Sequence, residues 1–301
     1  MIGEPTGQPG RRPGAAGQPQ DGPTALRIML GSQLRRLRET GGISREQAAE
    51  AIRATHSKIS RLELGRSGFK QRDLIDLLLL YGITEERERD ALLGLARQAN
   101  QPGWWHQYTD VMPAWLEPYI GLESASSMIR SYEIQFVHGL LQTEAYARSV
   151  IRLGNADTPR AEIERRLSLR MRRRHLVQEA TGTRIWSVLD EAALRRSPGS
   201  REEMLGQIDY LLEACELPGV VLQVIPFQAG AHPAAGGPFT ILRFHQRDLP
   251  DLVYLEQLTS ALYLDKPEDV SDYMSIMDQL CVMAEDITGT RRLLAEIRRS
   301  L

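Results

Sequence analysis

The stretch Ile43–Gly65, ISREQAAEAIRATHSKISRLELG, decides the fold of the first third of the chain. Ser44 has the character of an N-cap, with Gln47 three residues on at capping-box spacing, and predicts a helix running to about Ile52. Thr55 caps a second helix, Ile59 and Leu62 point inward, and Gly65 stops it. Ala48, Ala49 and Ile52 are small or apolar, which lets the two helices pack closely. The second helix then exposes His56, Ser57, Lys58, Ser60 and Arg61. Short polar and basic side chains near a helix N-terminus are what the major groove of DNA admits. Ser44 and Arg45, at the start of the preceding helix, are placed to hold a phosphate through backbone N–H groups and a cation. Lys58, and beyond the helix Arg66, Lys70 and Arg72, extend the positive surface along a backbone track.

Outward from this core the helical period continues. Leu26, Leu30, Leu34 and Leu37 predict a preceding helix that ends near Gly41-Gly42. Helices are also expected over about Gln71 to Tyr81 and about Glu85 to Gln98, so residues 24–99 read as an all-α domain of five helices. From Thr24 to Arg72, eleven Lys/Arg stand against four Asp/Glu, a net +7, although the whole chain of 301 residues carries −2. A basic module joined to an acidic one suggests a polyanion binder with a second task behind it. Residues 1–23, rich in Gly, Pro and Gln, read as a disordered tail. Residues 100–118 hold Trp104, Trp105, Trp115 and three prolines and read as an aromatic connector.

Residues 119–301 mix periods and predict an α+β domain with a mixed sheet. Leu122–Phe136, Thr143–Leu153, Pro159–Glu179, Arg201–Glu216 and Glu268–Glu285 read as helices. Arg184–Leu189, Val220–Ile225, Phe239–Phe244 and Leu252–Glu256 read as strands, being β-branched or aromatic runs bounded by Gly and Pro. The loop Gln228–Pro238 carries His232 and joins two of these strands. With Arg195 and with Glu256 at a strand end, it reads either as a small-molecule pocket or as a long hairpin loop beside ordinary ion pairs. Arg166, Arg170 and Arg173 form a stripe on the Arg-rich helix. It suits an anionic ligand, DNA or an acidic partner, or else a solvated face matched by Glu162 and Glu164.

The segment LRRLRETGGISREQAAEAIRATHSKISRLELGRS resembles the XRE-type helix-turn-helix, the class of phage repressor and Cro domains. The resemblance implies base contacts at His56, Ser57 and Arg61, phosphate contacts at Arg45 and the start of its helix, and a structural ion pair between Arg38 and Glu63. Farther along, PYIGLESASSMIRSYEIQFVHGLLQTEAYARSVIR, VLDEAALRR and VVLQVIPFQAGAHPAAGGPFTILRF resemble the C-terminal domain of the actinobacterial WhiJ-like regulators. That resemblance implies a ligand-binding domain, and a pairing with a small acidic protein in the manner of an antitoxin.

Several classes are disfavoured. There is no GxSxG, HExxH, Walker loop, or GxGxxG after a strand, so no enzyme is expected, although His232, His245, Asp190 and Glu256 could be assembled into a hydrolase on paper. Cys215 and Cys281 are far apart and predict buried thiols, with no metal site and no cofactor. No apolar run reaches membrane length, and the N-terminus lacks a signal-peptide pattern. The expectation is a cytoplasmic, homodimeric regulator of transcription that binds double-stranded DNA and is modulated by a small ligand or a small acidic partner protein.

Overall fold

The computed structural model describes residues 23–154, 157–178, 182–244 and 250–301. The expected disordered tail lies outside the described residues except for Pro23, as do Glu179 and His245.

Five helices open the chain: α1 (Pro23–Thr40), α2 (Arg45–Ala51), α3 (His56–Glu63), α4 (Gln71–Leu80) and α5 (Glu86–Ala99). Their ends are set locally. Gln47 donates its backbone N–H to the Ser44 hydroxyl at 3.2 Å, and Ser44 returns its own N–H to the Gln47 side chain at 2.8 Å. Thr55 Oγ1 accepts from the Lys58 N–H at 3.3 Å. Leu30, Leu34, Ala48, Ile59, Leu62, Leu74, Leu77 and Leu78 form the core between them. Gly31 lets α3 come close to α1, since a Cβ there would sit 2.5 Å from the Leu62 carbonyl oxygen. Gly65 ends the α3 segment at φ +64°, and its missing Cβ would strike the Ile28 backbone at 2.7 Å.

A 3-10 turn (Trp104–Tyr108) follows, then α6 (Leu116–Ala125) and a six-stranded mixed sheet. Its strands are β1 (Ser126–Glu133), β2 (Arg184–Asp190), β3 (Val220–Ile225), β4 (Phe239–Phe244), β5 (Leu252–Glu256) and β6 (Ala261–Leu264), in the order β3-β2-β1-β4-β5-β6. β1, β2 and β3 are parallel, and β4, β5 and β6 continue antiparallel from β1. Between the strands run α7 (Glu144–Leu153), α8 (Arg160–Arg173), α9 (His175–Gln178), α10 (Glu191–Arg195) and α11 (Arg201–Ala214), with α12 (Pro267–Met283) and α13 (Ile287–Ser300) after them.

The strand period of two sorts side chains between two cores. Ile129, Leu189, Leu222 and Leu242 pack with Tyr146 of α7, Ile208 of α11 and Leu294 of α13. Tyr132, Val188, Ile225 and Ile241 pack with Met277 and Leu280 of α12. The N-terminal helices are seated on the first of these cores, because Ile28 of α1 belongs to it.

The structure corrects four expectations. Leu122–Phe136 is not one helix: α6 stops at Ala125 and Ser126–Glu133 is a central strand. Arg130 and Ser131 obscured it, and both find partners far away in the sequence: Arg130 Nη2 donates to Asp278 at 2.7 Å and the Ser131 hydroxyl to Ser187 at 3.0 Å. The helix expected over Pro159–Glu179 ends at Arg173, with Arg174 as its C-cap. Gln228–Pro238 is not a hairpin loop, since β2 and β1 lie between β3 and β4 and the segment must cross them. Finally, Ala261–Leu264 and Ile287–Ser300, given no element from the sequence, form β6 and α13.

Candidate nucleic-acid interface and a cleft in the sheet domain

α3 buries Ile59, Leu62 and Glu63 and turns His56, Ser57 and Arg61 to solvent. The buried side is anchored by charge. Arg38 Nε donates to Glu63 Oε1 at 2.5 Å and Arg38 Nη2 to Glu63 Oε2 at 3.1 Å, a two-pronged pair in which both residues are buried. Arg38 Nη1 also donates to the Ile43 carbonyl at 2.9 Å, which fixes the chain entering α2. The hydrogen bond with Glu63 holds the Arg38 pKa above its ordinary value. The structure thus brings Arg38 and Glu63 together, and α1 and α3 with them.

The residues assigned to phosphates are placed unequally. Arg45 Nε donates to Glu63 Oε2 at 3.2 Å, so it lies beside the anchor with part of its side chain exposed. The Ser44 hydroxyl caps α2, and Lys70 stands exposed just before α4. Lys58 is drawn back against Asp73 of α4 by an ion pair. Arg66 departs from the expectation of a phosphate contact. Its Nη2 donates to the Tyr263 carbonyl at 2.9 Å, and its guanidinium lies 4.7 Å over the Tyr263 ring. Burial lowers its pKa, because this side chain docks the helical domain on β6. His56 Nε2 is 3.8 Å from Glu46 Oε1.

In the sheet domain a cleft of about 390 Å³ opens at the ends of β1 and β5, under α8. Strand alternation puts Glu133, Tyr254 and Glu256 on the face that looks into it. Arg170 and Arg173 reach it from α8, and Gln142 and His138 from the loop before α7. Arg173 is matched: Nε and Nη2 donate to the two carboxylate oxygens of buried Glu123 at 2.8 and 2.7 Å, and its guanidinium lies 5.5 Å from the Tyr119 ring centroid.

The neighbours of Arg173 are not matched in this way. Arg170 donates one hydrogen bond, to Gln142 Oε1 at 3.0 Å, and no carboxylate among the described residues pairs with it. Burial first, then the charge of Arg173, pushes its pKa down to about 10. The Glu133 carboxyl forms no hydrogen bond among the described residues. Burial first, then Glu256, pushes its pKa up to about 8. The Tyr254 hydroxyl donates to Glu256 Oε2 at 3.1 Å. Burial holds His138 neutral by pushing its pKa down to about 4, and its Nδ1 accepts from the Leu140 N–H at 3.3 Å.

The set read from the sequence as one ligand or partner site is therefore divided. Glu256, Arg170 and Arg173 meet in the cleft. The solvated-face reading of the stripe fails for Arg170 and Arg173, whose guanidinium groups α8 turns inward. Arg166 pairs with Glu162 at 2.7 Å one turn away. Arg195 pairs with Glu191 at 2.7 Å and reaches Ser300. His232 sits on the other side of the sheet, with Nε2 2.9 Å from the Tyr132 hydroxyl and 3.7 Å from Asp190. Glu133, Gln142 and Tyr254 escaped sequence reasoning. Glu133 was hidden by the helical reading of its segment, and the run Ser126–Glu133 that it ends shows no clean strand alternation.

The two-helix unit of α2 and α3, anchored from α1 and exposing a polar and basic face, defines a helix-turn-helix DNA-binding regulator. Residues 29–92 match a family model described as Helix-turn-helix domain. Residues 116–296, more than half of the chain, match the model described as Domain of unknown function (DUF5753), and the chain belongs to that family. No curated protein and no solved structure matches the chain. Among the described residues no helix is long and apolar enough to cross a membrane. Among the same residues no three His, Cys, Asp or Glu side chains are grouped to hold a metal ion.

Proposed function

We propose that the chain is a sequence-specific transcriptional regulator of the XRE type that binds double-stranded DNA as a homodimer. Residues 24–99 form the reading domain, and residues 119–301 a sensor that acts by binding rather than catalysis, in keeping with the WhiJ-like resemblance. The observation that carries this reading is α3: His56, Ser57 and Arg61 stand exposed on one side of it, while Glu63 locks the other side to Arg38. Base contacts come from those three residues, and phosphate contacts from Arg45, Lys70 and the N-terminus of α2. A single such domain covers only a short half-site, so two-fold symmetry is needed to compete with genomic DNA.

Modulation is supported by a line of contacts from the reading domain to the cleft. Arg66, three residues beyond α3, rests on Tyr263. The Tyr263 ring centroid is 5.2 Å from that of Tyr254, which in turn is 4.2 Å from Tyr119. Tyr254 and Tyr119 both line the cleft. A ligand that changes the packing of Tyr254 therefore biases the seat of the reading domain. Selection of duplexes from a randomised library by the full chain tests the function. A two-fold symmetric motif with half-sites about one helical turn apart is expected, and recovery of no enriched motif contradicts it.

A further inference from the structure

The cleft differs from an ordinary ion-pair network in how its charges are divided. On one wall Arg170 makes one side-chain hydrogen bond among the described residues, out of five donors, and Arg173 behind it adds positive potential. An anion arriving there would find an arginine that no carboxylate among the described residues holds. On the opposite wall Glu133 and Glu256 come from β1 and β5 at the same end of the sheet. Where two carboxyls face one cavity, the charge of one disfavours ionisation of the other, and a cation between them relieves this. Between the walls, Tyr119, Phe136, Val137 and Phe239 offer apolar and aromatic surface. The volume falls in the range of small-molecule sites.

We propose that this cleft binds a small zwitterion, its anionic group on Arg170, its ammonium between Glu133 and Glu256, and an apolar body between them. A divalent metal is a poorer occupant of the acidic wall. Calcium and magnesium take six or more oxygen ligands, and no third acidic or imidazole group joins the two carboxyls among the described residues. An ammonium needs fewer partners. The inference rests on the reading of the cleft as the sensor only for its regulatory consequence; the binding itself does not depend on DNA.

The test is isothermal titration of the full chain, without DNA, against linear ω-amino acids from 3-aminopropanoate to 8-aminooctanoate. Each is compared with the alkyl amine and the carboxylate of the same length. At least one member is expected to bind about tenfold or more tightly than both single-charge analogues, a difference of about 1.4 kcal/mol. Arg170→Met should abolish the preference over the amine, and Glu256→Gln should weaken the preference over the carboxylate. Because Glu256 is exposed, its variant stays informative if Arg170→Met fails to fold. The proposal is overturned if no member outbinds its analogues, or if Glu256→Gln leaves the preference over the carboxylate intact. Adding the best member to a DNA titration then separates the two readings. An unchanged DNA affinity removes the regulatory role and leaves the zwitterion site standing.

Discussion

Each half of the molecule buries an arginine against a glutamate, Arg38 with Glu63 and Arg173 with Glu123, but the surroundings differ. In the helical domain the other groups at the pair, Arg45, Glu39 and the Ile43 carbonyl, are drawn into one closed network. In the sheet domain Arg170 and Glu133 stand near the pair and are left outside it. Ionisable groups that lack an oppositely charged partner beside a cavity mark a place where a ligand can supply one. The helical domain thus spends its buried charge on geometry, holding α3 still. The sheet domain uses one pair for geometry and keeps a second set open.

The largest effects should come from breaking the two closed pairs. Glu63→Ala and Glu123→Ala each strand a buried guanidinium, and each should lower stability by about 3–5 kcal/mol. Denaturant unfolding followed by far-UV circular dichroism measures this. A loss below about 1 kcal/mol for either variant would show that water reaches the arginine left behind.

Acidity sharpens the same contrast. Glu133 has its folded pKa raised from 4.5 to about 8. The folded chain therefore holds the proton more tightly, and stability falls as pH rises from 4.5 towards 8. His138 has its folded pKa lowered from 6.5 to about 4, so its contribution is present above 6.5 and is lost as pH falls towards 4. Glu133→Gln should remove the alkaline loss, on the order of 2 kcal/mol after screening by water in the cleft. It should leave the acid limb unchanged. Thermal unfolding across pH 4 to 9 checks both limbs, and an unaltered alkaline limb in the variant would mean that Glu133 is solvated.

A smaller effect lies in the turn between α2 and α3. Arg53 occupies the left-handed region there, at φ 53°, the one residue other than glycine to do so among the described residues. Left-handed backbone costs an ordinary residue roughly 1–2 kcal/mol, part of which glycine's greater unfolded entropy takes back. Arg53→Gly should therefore stabilise the domain by up to about 1 kcal/mol and raise its Tm. A lowered Tm would mean that the arginine side chain itself holds the turn.

The helical domain was the more legible half because its decisions are local. Ser44, Thr55 and Gly65 set boundaries within a few residues of themselves, and Leu30 and Leu34 repeat at helical spacing. β2 to β5 were legible for a similar reason, as β-branched runs between breakers. β1 was not: Arg130 and Ser131 look like solvent-facing residues until Asp278 and Ser187 are brought to them by the fold. The cleft was legible only in fragments. Glu133, Gln142, Arg170 and Glu256 come from separate parts of the chain, and no spacing within the sequence joins them. Arg66 looked like part of a basic track because its partner, Tyr263, lies 197 residues away.

The central claim, that α3 reads bases while the basic residues around it hold the backbone, meets its most direct test in one paired titration. Arg61→Ala and Lys70→Ala are each titrated with the selected duplex, and with a copy altered at the matching base pair, at two salt concentrations. Arg61→Ala should lose about 1–3 kcal/mol of discrimination between the two duplexes and keep the parent's salt slope. Lys70→Ala should weaken both duplexes alike and reduce the slope by about one. If Arg61→Ala discriminates between the duplexes as the parent does, the exposed face of α3 is not the reading surface.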